Sequence, residues 1–94
     1  MAEQNNQVPI KIDDDTLKGK YANAMQVAHN KEEFVMDFIN LFPPQGSVTA
    51  RVITSPGHLK RIIAALNENV SRYEAQYGKI EEAAAPPMVD IKPN

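Results

Sequence analysis

The chain contains no cysteine, so neither a disulfide nor a thiolate metal site can staple it. Its only histidines, His29 and His58, are far apart in sequence, and no His/Asp/Glu group has metal-ligand spacing. No stretch approaches the roughly 18 consecutive apolar residues of a membrane span. The opening MAEQNNQVPIKIDDD has no apolar core of signal-peptide length, so the cytoplasm is the expected setting. A Gly-rich loop ending in Lys-Ser/Thr is also missing, which excludes a P-loop. No metal, cofactor or catalytic residue is expected, and the protein is read as not an enzyme.

What remains is short. The 94 residues divide into a disordered or extended N-terminal arm (1–16), one domain (17–80) and a flexible Ala/Pro-rich tail (81–94). A folded unit of about 60 residues buries only about 60% of its unfolded surface and is marginal alone. Without disulfides or metal, association is the remaining route to stability. The net charge of -2 argues against a protein coated with nucleic acid. The charge is uneven. Residues 1–50 carry four Lys/Arg and seven Asp/Glu (-3), residues 51–78 four and two (+2), and residues 79–94 two and three (-1).

The polar residues 1–7 read as disordered. VPIKI (8–12) reads as a short strand or arm, and Thr16 to Gly19 as a turn. YANAMQVAH (21–29) alternates as a strand, although its alanines would also suit a helix. Asn30-Lys31 then reads as a tight turn, since Asn tolerates positive φ. EFVMDFINLF (33–42) is a stronger strand, with a helix as the alternative. Phe34, Met36, Phe38 and Phe42 share one face, and Val35, Ile39 and Leu41 the other. After the breaker Pro43-Pro44-Gln45-Gly46, SVTARVITS (47–55) places Val48, Ala50 and Val52 against Thr49, Arg51 and Ile53. Leu59, Ile62, Ile63, Leu66, Val70, Tyr73 and Tyr77 recur at helical steps, and Gly78 stands at a natural stop. In the tail, MVDI reads as an extended arm.

The expected fold is α+β: an antiparallel three- to four-stranded meander followed by one long C-terminal amphipathic helix. One helix covers about one sheet face. The second apolar face would then be a large exposed patch on a monomer, so a homodimer or higher oligomer is expected. Phe34, Phe38, Phe42, Ile63, Leu66, Val70 and Tyr73 are the expected core or oligomer interface.

The stretch SPGHLKR (55–61) is the candidate site. Ser55 is a favoured N-cap and Pro56 suits the first helical position. Free N–H groups at a helix start also bind anions. Ser55, Gly57, His58, Lys60 and Arg61, with Arg51 and Arg72, could form a basic strip for an anion or nucleic acid. The plainer reading is a well-capped helix with solvated cations. Asp37 interrupts an apolar strand and needs a partner, for which Arg51 on the next strand is the candidate. Tyr73 and Tyr77 read as core or interface rings before base-stacking platforms.

These residues resemble a family of small bacterial and archaeal domains of unknown function. The likeness lies in Tyr21-Ala22-Asn23, His29, Glu33-Phe34, Asp37-Phe38, Arg51, Ser55-Pro56, His58, Lys60-Arg61, Ala65-Leu66, Asn69 and Tyr73-Glu74. It brings no activity with it. A strand meander followed by a long helix, assembled through its sheet, is also similar in architecture to the SecB-type export chaperones. The expected function is thus a non-enzymatic interaction or structural module acting as a homodimer with an unidentified protein partner, and possible chaperone-like holding. The alternative is nucleic-acid binding through the basic strip.

Overall fold

The computed structural model describes residues 7–93. The disorder expected for residues 1–7 falls, apart from Gln7, outside the described residues. The elements run α1 (Asp14–Lys18), β1 (Ala24–His29), β2 (Phe34–Phe42), β3 (Gln45–Thr54) and α2 (Pro56–Tyr77). The three strands form one antiparallel sheet in the order β1-β2-β3. The fold is α+β, as expected, with three strands among the described residues.

Several boundaries differ from the sequence expectation, each for a local reason. Residues 8–12 are exposed and unpaired. The expected turn at Thr16 is instead the short helix α1, because the Asp13 carboxylate accepts from the Thr16 N–H at 2.7 Å. Gly19, at φ 78°, ends it. β1 starts at residue 24, yet Asn23 extends its pairing by side chain. Its Oδ1 accepts from the Leu41 N–H at 2.8 Å and its Nδ2 donates to the Leu41 carbonyl at 3.0 Å. The β1–β2 loop uses Asn30 without positive φ. Its Oδ1 accepts the N–H groups of Glu32 and Glu33 at 2.8 and 2.9 Å. Gln45 and Gly46 belong to β3, leaving Pro43-Pro44 as the whole β2–β3 turn.

A bulge moves one side chain across the sheet. Phe38 lies opposite Ala50, but the next residue, Ile39, lies opposite Val48. Thr49 is the extra residue, and its hydroxyl donates to the Phe38 carbonyl at 3.1 Å. Val48 therefore joins Arg51 and Ile53 on the Ile39 face, and not Ala50 and Val52 as strict alternation predicts.

The core is small. Met36 (6% exposed) and Ile39 (3%) are its buried hydrophobics, one on each face of the central strand. Phe34 and Phe38 are half-buried, and Phe42 is exposed. α1 and the residues after it wall a cleft over Phe38, Ala50 and Val52.

α2 departs most from expectation. Its boundaries are as the periodicity predicts: Ser55 caps it, Pro56 opens it, and Gly78 closes it. It does not cover the sheet, however. No α2 residue is buried, Leu59 and Ile62 are half-buried, and the extensive packing between elements is that of neighbouring strands. Ile63, Leu66, Val70, Tyr73 and Tyr77 all face outward, with Leu66 61% exposed. The expected core membership of the helix stripe is thus corrected for the single chain. The radius of gyration is 17.1 Å, against about 12 Å for a compact chain of this length. The accessible surface is 8921 Å², against about 5,400 Å² for a compact monomer of this mass.

Candidate functional site

The buried charge in the sheet is satisfied from the next strand. Asp37 is 6% exposed on the central strand, and Arg51 lies directly opposite it. Arg51 Nε donates to Asp37 Oδ1 at 2.6 Å and Nη2 to Oδ2 at 2.9 Å, a two-point fork. The Arg51 hydrogen bond holds the Asp37 carboxyl below its ordinary range, against the opposing effect of burial. The same bond raises the Arg51 guanidinium above its own ordinary value. Both carboxylate oxygens are occupied, so this pair is a clasp between β2 and β3. Sequence reasoning named both partners.

At the helix start, the Ser55 hydroxyl accepts from the His58 N–H at 3.2 Å and its carbonyl from the Leu59 N–H at 2.9 Å. Ser55 is therefore engaged as a cap. Gly57 stands in open space. Among the described residues His58, Lys60 and Arg61 are exposed and make no side-chain hydrogen bond or ion pair. Arg72 pairs with Glu68 one turn away. Of the seven residues read as a basic strip, Arg51 and Arg72 are thus neutralised within the chain, and three adjacent side chains remain free.

The histidines form no site together. His29 stacks its ring on Phe34 at 5.1 Å, and no hydrogen bond or ring contact joins it to His58. Among the described residues there is no group of three or more His, Asp or Glu that could hold a metal ion. Tyr73 and Tyr77 pack against each other, ring centres 4.9 Å apart, on the outward stripe.

The structure gives roles to two residues that the sequence placed only in the family pattern. Asn23 clamps Leu41, as above. Glu74 closes the C-terminus of α2 twice: its carbonyl accepts from Gly78 N–H at 3.0 Å and its carboxylate from Ile80 N–H at 2.9 Å. The signal for both was a polar residue at an element's end, where side chains replace missing backbone partners. A second gap in the reading is the tail. Residues 88–93 and the β2–β3 turn enclose a cleft of about 610 Å³ over Ile39, Leu41 and Val48. Asn40 Oδ1, on the opposite face, is buried without a hydrogen-bond partner among the described residues.

No helix among the described residues is long and apolar enough to cross a membrane. No curated protein and no solved structure matches the chain significantly. A family model does match residues 1–82, which include every strand, both helices and all the side chains that carried the resemblance. The chain belongs to the family described as "Protein of unknown function (DUF3467)".

Proposed function

We propose that the protein is a non-enzymatic interaction module that works as a cytoplasmic homodimer, with α2 of one copy lying on the sheet of the other. The observation that carries this reading is the outward stripe of α2 together with the exposed Met25, Val27 and Val52 on one sheet face of the same chain. Burying apolar surface is the main driving force of folding, and this chain leaves most of its own unused. Its surface exceeds that of a compact monomer by roughly 3,500 Å², well above the roughly 800 Å² per partner of a standard interface.

The two surfaces are matched. Met25, Val27 and Val52 are exposed on one sheet face, and Val27 and Val52 flank buried Met36 in one row across all three strands. A 22-residue helix is about 33 Å long, and the ten residues of β3 span about the same. Residues 51–78 carry +2 and residues 1–50 carry -3, so these two regions attract across two copies. Asn40 Oδ1 is an acceptor that a partner's donor could satisfy. Chaperone-like holding of another protein is the widest form of this reading. Its support is the same apolar surface.

Light scattering at micromolar concentration tests it. The expected mass is twice the 10.5 kDa chain. A monodisperse monomer with a cooperative melt would overturn the reading.

A further inference from the structure

We propose that the cleft at the β2–β3 turn is a docking site for an extended peptide carrying branched apolar side chains two residues apart. The chain's own residues 88–93 hold this site as a displaceable occupant.

The tail already shows the pattern the site takes. Val89 and Ile91 are half-buried, while Met88, Asp90 and Lys92 are exposed. That two-residue alternation is the signature of an extended segment laid on a surface. Opposite it stand Ile39, the most buried hydrophobic of the chain, with Leu41 and Val48. Each is placed there by a specific device. Asn23 fixes the Leu41 backbone from both sides. The bulge at Thr49 turns Val48 onto this face. Gly46 leaves room for Leu41, since a Cβ there would lie 2.8 Å from Leu41 Cδ1.

The tail's grip is weak by construction. No backbone hydrogen bond ties residues 88–93 to the sheet, and the Asp90–Lys92 ion pair is internal and exposed. The tail follows residues 78–87, which have no regular structure, and it lies beyond the family domain, which ends at residue 82. It is held by side-chain burial and by its tether, which keeps it at an effective concentration of about millimolar. A partner segment with the same apolar spacing can bury its side chains against Ile39, Leu41 and Val48 and so displace the tail.

The test uses the full chain and its variant Val89→Asp/Ile91→Asp. The probe is a fluorescein-labelled peptide of residues 84–93, followed by anisotropy. The variant, its own tail released, binds the peptide saturably. The parent chain binds about tenfold more weakly because its tail competes. Adding Val48→Asp to the variant abolishes binding. Amide chemical shifts provide a measurement independent of that last substitution: peptide moves Leu41, Ser47 and Val48 in the Val89→Asp/Ile91→Asp chain. Equal binding by parent and variant, no saturation, or unmoved amides at residues 39–48 would each overturn the proposal. None of these outcomes depends on whether the chain is a dimer.

Discussion

The sheet and the long helix solve the same problem in opposite ways. The sheet completes itself. Its strands pair in register, its buried carboxylate finds a guanidinium on the neighbouring strand, and a side-chain amide extends the ladder where β1 begins. The helix is finished only locally. It has a serine cap, a proline at its first turn, an internal Arg72–Glu68 pair and a glycine stop reinforced by Glu74, yet none of its residues is buried. Local hydrogen bonding and tertiary burial are thus separable requirements, and one chain can meet the first while leaving the second to another surface. In proteins most helical stability comes from packing an amphipathic face, and α2 forgoes that contribution within its own chain.

The strongest way to break this contrast is to attack the helix stripe. If a second copy covers it, Leu66→Ala costs about 2–5 kcal/mol, as a buried truncation does. Were the stripe left in water, the cost would stay within about 0.5 kcal/mol. The double variant Leu66→Asp/Val70→Asp should then run as a monomer by light scattering and lose its cooperative melt.

The sheet's clasp is tested next. Asp37 has its folded pKa lowered by Arg51. Its contribution to stability is therefore full above the unfolded value of about 3.9 and is lost as pH falls through the folded value. Melting temperatures of the parent and Asp37→Asn should differ clearly at neutral pH and converge below about pH 4. Arg51→Ala should destabilise more than its half-exposed side chain suggests, because it strands a carboxylate that is 8% exposed. A double-mutant cycle isolates the coupling; additive effects at the two positions would dissolve the clasp.

The smallest effects concern the helix ends. Gly78 sits at φ 99°, ψ 171°, a region essentially reserved for glycine, so Gly78→Ala should cost about 1–3 kcal/mol. Ser55→Ala should cost about 1 kcal/mol. Urea titration checks both, and neither should change the oligomer mass.

What could be read beforehand follows from the range of the forces involved. Periodicity and caps act within a few residues, so the span of α2 was legible from Ser55, Pro56 and Gly78. The Asp37–Arg51 pair was legible because a lone carboxylate in an apolar strand demands a cation, and the nearest candidate was one strand away. The bulge at Thr49 was not, because strict alternation and a one-residue slip use the same letters and differ only in which face Val48 reaches. Asn23 and Glu74 were read as pattern residues without roles. Their roles depend on where another strand or the following chain runs, which no local rule specifies.

Taken alone, the order of residues determined the α+β class, the single long helix with both its ends, the central apolar strand and the need for a salt bridge within it. Those properties depend on neighbours in the chain or on the next strand. Tertiary structure decided which face each β3 residue occupies, that residues 88–93 return to the sheet, and that α2 leaves Ile63, Leu66, Val70, Tyr73 and Tyr77 exposed. These depend on distant surfaces meeting, and an apolar stripe specifies only that something must cover it.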